Sequence, residues 1–490
     1  MEKLNVGLFN DSFPPTIDGV ANVTVNYARI IQEKYGTAVV ATPFYPDVKD
    51  DYPFEVIRYP SVYVSDDIGY RAGYPFDPRV LSKLEKKDLD VLHTHCPFVS
   101  TILARMVRAV TGAPIVFTYH TKFDIDIDKA FASDSLRRAS IKFLLNNINA
   151  CDEVWVVSEG AGENLRSLGY KGEYIVMENG TDFERRRSDP ARVDALRRQY
   201  GIAQDETVFL FVGRMMWYKG VRISLDALRQ AKADGLKFRF FLVGDGADRA
   251  EMQRYIADND LSDVCVCVGA VLDRELLRDY FSLADLFLFP STFDTNGIVV
   301  REAAACYCPS VLVRGSCAAE GIADGDTGIL IDENAASMAQ AVARACADRA
   351  ALRRIGENAA QKIYVSWDEA VRRAYERYEY VVEKYTDTAH DERSLAEDLS
   401  AAVEKLTGEL SETKELIQDL FWDTRDWVSK LGSRSGAAVK KNAGALQAAA
   451  ASSEDLGALR DYIRELRTQN EERRAARKKR RDRTPPRGQS

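Results

Sequence analysis

The sequence predicts an α/β protein with two successive open parallel sheets. Short apolar runs alternate with amphipathic stretches such as 20–34 and 99–110, and the charged segment 182–201 divides the runs into two series. The first series comprises runs at 4–9, 37–44, 90–95, 114–120, 153–158 and 174–180. The second comprises runs at 207–214, 238–246, 264–270, 285–291, 309–315 and 327–332. Each series is typical of a doubly wound, Rossmann-like domain, in which ligands bind beyond the carboxyl ends of the strands.

Helical segments are predicted to follow the second series. The pattern is helical from 335 to 385, and apolar side chains spaced alternately by four and three over 399–427 indicate heptads. These heptads either join two chains in a homodimer or lie on the sheet domains of the same chain. The predicted divisions are sheet domains at 1–190 and 191–365, a closing helix at 366–388, an amphipathic or coiled-coil helix at 389–431, and a linker, short helix and basic disordered tail at 432–490.

Composition and charge argue against several classes of protein. The 490-residue chain has a net charge of −8, which gives no reason to expect nucleic acid. We find no signal peptide and no apolar run long enough to cross a bilayer, and the eight cysteines lack zinc-ligand spacing. We therefore expect a cytoplasmic protein with reduced thiols. The segment 457–490 has 12 Lys or Arg against 5 Asp or Glu, so it is either a solvated end or a site of attraction to an anionic membrane.

The stretch VGRMMWYKG at 212–220 places two cations after a predicted strand. Arg214 directly follows the apolar run, and Lys219 stands five residues later, where a helix begins. Cations at the carboxyl end of a parallel strand can neutralise a diphosphate. Taken alone, such a stretch is more often a solvated loop with ordinary surface cations.

The stretch FDTNGIVVREAAA at 293–305 follows another predicted strand and holds two carboxylates eight positions apart. Asn296 and Gly297 form a turn signal that allows close backbone approach, and the start of the following helix attracts phosphate. Asp294 can accept hydrogen bonds from sugar hydroxyls, and Glu302 from a ribose. A loop acid that caps a helix and a surface Glu are the simpler explanation for each acid by itself. Both acids together with the two cations favour a nucleoside diphosphate sugar as ligand.

These two stretches resemble the donor-site motifs of family 4 retaining glycosyltransferases, and further similarity lies at 9–23, 175–183 and 316–331. The resemblance extends over about residues 4–380 and implies the GT-B fold, in which two Rossmann-like domains face a cleft. Asp294 stands where the family usually has Glu, and Asp18-Gly19 stands where it often has Gly-Gly.

The resemblance implies roles in the second domain for the residues that match. Arg214 and Lys219 would bind the diphosphate, and Glu302 would bind the ribose. The other donor contacts are assigned to Asp294 with the amides of Asn296, Gly297 and Ile298 for the sugar and its phosphate, and to the backbone of Ala270 and Val271 for the base.

In the first domain, the resemblance implies that Gly19 approaches the phosphate. It also implies that His120 bonds the donor sugar near its reacting carbon, so that His120, Arg214, Lys219 and Asp294 form the catalytic set. A structural histidine with satisfied hydrogen bonds is the alternative for His120.

The acceptor side is expected near the same strand end. Tyr119, Lys122 and Asp126 are its candidate residues, and TYHTKF resembles a segment of bacterial diacylglycerol glucosyltransferases, although the tyrosines that follow it there are absent here. The alternating acids of 124–128 can hold a divalent metal. That reading takes second place, because GT-B enzymes usually need no such metal.

The predicted activity is transfer of a hexosyl group from a UDP- or GDP-sugar to a hydroxyl, with retention of anomeric configuration. No side chain stands out as a nucleophile, and the resemblance implies front-side departure and attack, with the leaving phosphate helping to take the acceptor proton. We expect no cofactor and no metal. A membrane lipid or lipid-linked saccharide suits the basic tail best as acceptor, which would place the protein on the inner face of the plasma membrane. The alternatives are a UDP-sugar epimerase of the same fold and a degenerate, non-catalytic membrane-associated scaffold.

Overall fold

The structure of the protein is a computed structural model, and it describes residues 3–16, 18–63, 71–124, 127 and 133–385. The chain divides into two compact units. The first unit contains the residues up to Trp155, Leu165–Ile175 and the chain from Ala374; the second contains Val156–Asn164 and Val176–Arg373. The predictions for Asp126, the last residues of the closing helix, the heptads, the linker and the basic tail lie outside the described residues.

The first sheet has seven strands in the order β3-β2-β1-β6-β7-β8-β9, and its pairs from β3 to β7 are parallel. The strands are β1 Asn5–Phe9, β2 Thr37–Pro43, β3 Glu55–Tyr59, β6 Val91–Thr94, β7 Ile115–Tyr119, β8 Glu153–Val156 and β9 Ile175–Val176. A separate antiparallel hairpin consists of β4 Ser61–Tyr63 and β5 Arg71–Gly73. All six predicted runs contain a strand. The sequence prediction lacks β3, because EVIRY is short and its two charged residues obscure the apolar pattern.

The second sheet has six strands in the order β12-β11-β10-β13-β14-β15, and every pair in it is parallel. The strands are β10 Thr207–Val212, β11 Phe238–Val243, β12 Cys265–Gly269, β13 Leu286–Phe289, β14 Ser310–Val313 and β15 Ile329–Ile331. Each of the six runs predicted for this sheet contains its strand. The strands are largely buried, as expected when helices cover both faces of a parallel sheet.

Helices connect the strands of both sheets. They are α1 Gly19–Ile30, α2 Pro78–Glu85, α3 Val99–Thr111, α4 Asp134–Asn149, α5 Glu159–Ser167, α6 Pro190–Gln199, α7 Val221–Ala233, α8 Arg249–Asp258, α9 Arg274–Leu283, α10 Ile298–Ala305, α11 Ala335–Ala347, α12 Arg349–Lys362 and α13 Trp367–Tyr385. A π-helical turn, Ile31–Tyr35, continues α1. Acidic side chains set some of the starts: Asp18 Oδ1 accepts from the Ala21 amide at α1, and Asp273 accepts from the amides of Glu275 and Leu276 at α9.

Both sheets have the doubly wound strand order, and this order positions the candidate site. The direction of winding reverses between β1 and β6 in the first sheet and between β10 and β13 in the second. Ligands of open α/β sheets bind beyond the carboxyl ends of the strands at such a reversal. The loops after β10 and β13 are the ones that carry the predicted cations and acids.

Candidate functional site

The loops after β10 and β13 come into direct contact in the second unit. Gly220 has φ of +75°, and a Cβ at this position would overlap the carbonyl oxygen of Pro290. Only glycine accommodates both conditions. The close approach brings Lys219, at the end of the 3₁₀ turn Trp217–Lys219, beside the loop that carries Asp294.

Lys219 and Asp294 form an ion pair that is largely buried. Lys219 Nζ lies 2.7 Å from Asp294 Oδ1, and Ser291 Oγ donates to Asp294 Oδ2 over 2.6 Å. The rings of Tyr218 and Phe293 have their centroids 5.7 and 5.6 Å from the ammonium nitrogen. A buried charge that loses its partner destabilises the protein strongly. If a ligand anion pairs with Lys219 in place of Asp294, the Asp294 carboxylate therefore needs a new hydrogen-bond donor. Sugar hydroxyls are donors of that kind.

Arg214 differs from Lys219 in being exposed. Its guanidinium forms no hydrogen bond or ion pair with any residue that the structure describes. The loop that carries it is nevertheless fixed, because the Met215 amide donates to the Asp245 carbonyl over 2.9 Å and the Trp217 amide donates to Asp248 Oδ2 over 2.8 Å. A fixed backbone with an unpaired, flexible cation suits a charged ligand.

Asn296 and Gly297 form the turn that begins α10. Asn296 is buried, and its Nδ2 donates to the Val157 carbonyl over 2.6 Å. Gly297 has φ of +60°, and a Cβ there would lie 2.9 Å from the Cβ of Ala318. Ile298 is the first residue of the helix, and the first amides of a helix favour phosphate through their unpaired N–H groups and the helix dipole.

Glu302, in the second turn of α10, is a buried carboxylate paired with an arginine. Its Oε1 accepts from Arg274 Nη2 over 2.7 Å. Burial raises the pKa of Glu302 above its ordinary value; the Arg274 guanidinium opposes this rise, and Asp182 adds to it. Arg274 therefore favours the ionised form of Glu302 at a position where burial disfavours that form.

The predicted base contacts follow β12. Ala270 is exposed, and Val271 is half-buried against the core of the second unit. Leu272, the next residue, is 80% exposed. An exposed leucine beside an exposed backbone offers an apolar surface to a flat ring.

Within the described residues of the second unit, the structure joins one pair of the predicted site residues directly, Lys219 with Asp294. Arg214 and Glu302 are not bonded to that pair. Three side chains in the described part of this unit bind site residues and were not predicted: Ser291 holds Asp294, Arg274 holds Glu302, and Arg301 Nη1 donates to the Asn296 carbonyl. A signal for Ser291 exists in its position three residues before Asp294 and two residues after the end of β13.

In the first unit, Gly19 starts α1 at the sheet reversal after β1. It is exposed, and an added Cβ would meet no atom within 4 Å. Asp18, the preceding residue, caps the helix and accepts a hydrogen bond from Ser12 Oγ. No contact with the described residues therefore requires glycine at position 19.

His120 belongs to a row of three buried histidines. His95 Nδ1 lies 3.0 Å from His120 Nε2, and the rings of His93 and His95 have their centroids 4.1 Å apart. His93 in turn bonds Thr118 Oγ1 at 2.7 Å and Tyr378 Oη at 2.5 Å. Burial lowers the pKa of His120 to about 3 and those of His93 and His95 well below 6.5, so all three are neutral at pH 7.

The acceptor-side candidates lie just after β7. Tyr119 is fully buried, and the Phe123 amide donates to its hydroxyl over 3.4 Å. Lys122 is partly exposed. Of the acids 124–128, Asp124 lies within the described residues, whereas Asp126 and Asp128 do not.

The described residues contain neither a cluster of possible metal ligands nor a helix that could span a membrane. In the described part of the chain, no three His, Cys, Asp or Glu side chains lie close enough together to hold a metal ion. None of the described helices is long and apolar enough to span a bilayer.

Comparison with known proteins finds a glycosyltransferase family model that matches each half of the chain. Residues 17–185 match the family described as Glycosyltransferase Family 4, and residues 193–362 match that described as Glycosyl transferases group 1. The chain is a family 4 glycosyltransferase.

Individual relatives agree with this family 4 assignment. The chain is 25% identical to the alpha-monoglucosyldiacylglycerol synthase of Acholeplasma laidlawii, over 68% of this chain and 85% of the relative. It is 26% identical to the GDP-mannose-dependent alpha-mannosyltransferase of Corynebacterium glutamicum, over 68% of this chain and 78% of that one. Neither relative is named as an epimerase.

A solved structure confirms the fold of this family 4 enzyme. The crystal structure of Anabaena HepE in complex with UDP and glucose superposes with a TM-score of 0.60 at 18% identity, over 77% of this chain and all of that one. The predicted GT-B fold, with two parallel-sheet α/β domains, is thereby confirmed.

Proposed function

We propose that the protein transfers a hexosyl group from a nucleoside diphosphate sugar, UDP- or GDP-linked, to a hydroxyl of a membrane lipid or lipid-linked saccharide. One observation carries the proposal: the second unit holds Lys219, paired with Asp294, at the sheet reversal, and the buried carboxylate of Glu302 on the helix that follows. A cation for phosphates and carboxylates for hydroxyls match the two halves of such a donor.

The donor would be held by the second unit. The diphosphate takes Lys219 and the exposed Arg214, while the first turn of α10 faces a phosphate. Asp294, once Lys219 turns to the phosphate, accepts hydrogen bonds from sugar hydroxyls. Glu302 accepts from the ribose, and the backbone of Ala270 and Val271 meets the base.

In the transfer step, the bond between the anomeric carbon and the diphosphate oxygen breaks, and a bond from that carbon to the acceptor oxygen forms. The acceptor proton passes to the departing diphosphate, so charge and atoms balance without a protein nucleophile. Lys219 and Arg214 stabilise the negative charge that develops on the leaving group. Their two positive charges do the work of a metal in this proposal, so no metal is required.

His120 would donate or accept a hydrogen bond at the sugar as a neutral imidazole, because its burial disfavours the charged form. Gly19 would leave room for a phosphate at the start of α1. Tyr119, Lys122 and Asp126 are proposed for the acceptor side.

The acceptor is proposed from the relatives and the tail. A relative named alpha-monoglucosyldiacylglycerol synthase favours a lipid acceptor. The basic composition of 457–490 favours attachment to the inner face of the plasma membrane through anionic lipid, and the 399–427 heptads would strengthen it by bringing two tails together in a homodimer.

A transfer screen tests the proposal. The full chain is incubated with a bacterial membrane lipid extract and, one at a time, UDP-glucose, UDP-galactose and GDP-mannose, with and without EDTA, and lipids are analysed by mass spectrometry. We expect a hexosylated lipid from one donor, in equal yield with EDTA. Diacylglycerol with UDP-glucose is the first pair to test.

Other outcomes identify the alternatives. Without acceptor, conversion of the donor to an isomeric nucleotide sugar would establish an epimerase. Absence of transfer from every donor, together with no binding of UDP or GDP, would leave a non-catalytic scaffold. Loss of transfer with EDTA would contradict the metal-independent step.

A further inference from the structure

Arg274 makes a set of contacts that fix it beside the proposed ribose site. It is the first residue of α9, and its Nη2 lies 2.7 Å from Glu302 Oε1. Its guanidinium carbon lies 4.2 Å from the centroid of the buried Phe183 ring. Asp182 Oδ2 is farther from the same nitrogen, at 3.7 Å. The short bond and the stacked ring orient the guanidinium toward Glu302.

The two oxygens of Glu302 are therefore not equivalent. Oε1 is occupied by Arg274, whereas Oε2 makes no hydrogen bond with any residue in the described part of the chain. Oε2 is not fully enclosed by protein atoms: solvent reaches it, although Glu302 as a whole is only 8% exposed. A carboxylate held by one oxygen presents the other as an acceptor in a fixed direction.

The arginine also favours the charge that such an acceptor needs. Burial disfavours the ionised form of Glu302, and Arg274 is the closest cation to it. A protonated Glu302 would accept less strongly and would lose the fixed orientation.

We propose that Arg274 is a positioning residue of the nucleotide site: it holds Glu302 through Oε1 so that Oε2 accepts a hydrogen bond from a ribose hydroxyl. The inference rests on the proposed function, in which Glu302 meets the ribose. It adds a residue from the start of α9, outside both donor stretches, and it predicts that Arg274 governs recognition of the ribose without touching the nucleotide.

The test removes the arginine and the ribose hydroxyl separately. Dissociation constants for UDP, GDP and their 2′-deoxy and 3′-deoxy analogues are measured by calorimetry on the full chain. The variants are Arg274→Met, which keeps an apolar stem over Phe183, Arg274→Lys, Glu302→Gln, and the control Arg254→Met. Arg254 is an exposed arginine of α8 whose side chain, among the described residues, bonds only its own helix, at the Ala250 carbonyl.

We expect the unchanged protein to bind the ribonucleotide about 10- to 100-fold more tightly than one deoxy analogue, the range for a hydrogen bond to a charged group. In Arg274→Met and Glu302→Gln this ratio should fall to within about threefold of unity, because neither variant presents a fixed carboxylate oxygen. Arg274→Lys should recover part of the ratio, and Arg254→Met should keep all of it. A purely structural role for Arg274 would lower the thermal midpoint without changing the ratio.

The outcomes separate this inference from the proposed function. A full ratio in Arg274→Met with a lost ratio in Glu302→Gln would overturn the role of Arg274 alone. Binding of ribo and deoxy nucleotides with equal affinity by the unchanged protein would remove Glu302 from the ribose and the inference with it. No binding of UDP or GDP at all would defeat the proposed function itself. If Arg274→Met does not fold, Arg274→Gln, which also removes the charge, takes its place, and an unchanged ratio in that variant overturns the inference.

Discussion

The polar groups at the strand ends of the two units are paired in opposite ways. In the second unit they are ions: Lys219 faces Asp294, and Arg274 faces Glu302, each pair at 2.7 Å. In the first unit they are neutral rings, since His95 and His120 lie 3.0 Å apart and burial keeps both uncharged. Ion pairs can exchange partners with a charged ligand, whereas buried neutral rings suit uncharged hydroxyls. Under the proposed function, this difference assigns the charged part of the donor to the second unit.

Glycine makes the same contrast between the units. Gly220 is required by the protein itself, through its left-handed backbone and its contact with Pro290. Gly19 has open space around it and no such requirement. Packing among the described residues does not account for glycine at this position, and the proposed function accounts for it by the approach of a phosphate.

Removing the cation of the second unit should have the largest effect. Lys219→Met is expected to lower donor-dependent turnover by about 100-fold or more, because it deletes a preorganised charge at the leaving group. Initial rates with saturating acceptor measure the loss. Lys237→Met is the matched control, since Lys237 forms an exposed ion pair with Asp205 on the same unit. Equal rates in the two variants would remove Lys219 from the active site.

Changing the histidine of the first unit should lower the rate without affecting nucleotide binding. His120→Gln is expected to reduce transfer by about tenfold or more, the cost of a lost hydrogen bond near the reacting carbon. Its affinity for UDP or GDP, measured by calorimetry, should stay within twofold of the unchanged protein. A large loss of nucleotide affinity in His120→Gln would mean that both units bind the charged nucleotide. It would contradict the division between a charged second unit and a neutral first unit.

The neutral histidines predict how stability depends on pH. The ordinary pKa of histidine is 6.5, and burial lowers that of His120 to about 3, so below pH 6.5 the unfolded chain binds more protons than the native one. The free energy of unfolding should therefore fall as the pH decreases from 7 to 4, by up to about 1.4 kcal/mol per pH unit for each such histidine. His120→Gln should flatten this dependence in thermal midpoints measured across that range. The same slope in both proteins would show that the pKa of His120 is the same in the native and unfolded states.

The smallest effect is expected at Gly19. Gly19→Ala should leave the thermal midpoint unchanged, because no protein atom lies within 4 Å of the new Cβ. The KM for the donor should rise by about fivefold, since a methyl group forced into a filled contact costs roughly 1 kcal/mol. An unchanged KM would mean that no ligand approaches this position.

The sequence was sufficient to predict most of the fold. Each of the twelve apolar runs contains a strand, because strands buried on both faces of a parallel sheet are continuous apolar segments and are easily recognised in a sequence. Strand β3 was not predicted, because the charged residues Glu55 and Arg58 interrupt the apolar pattern of its five residues. Strand order could not be derived from the runs alone.

The site was predicted as a set of residues but not as a set of contacts. Lys219 and Asp294 are 75 positions apart, and nothing in the sequence shows that each is the other's partner. In the sequence, Arg274 resembles any cation in the first turn of a helix. Its proposed role depends on its contact with Glu302 of α10, which the sequence does not show. His95 could be inferred more readily, because it follows β6, the strand that pairs with the one before His120. Pair contacts of this kind depend on register and packing, which a single sequence does not reveal.

The most direct test of the account is a calorimetric titration of UDP and GDP into the unchanged protein, Lys219→Met and Glu302→Gln. The account predicts that the unchanged protein binds at least one of the nucleotides and that each variant weakens that binding by about tenfold or more, because each removes a charged contact. Binding of the same nucleotide with unchanged affinity by both variants would contradict it.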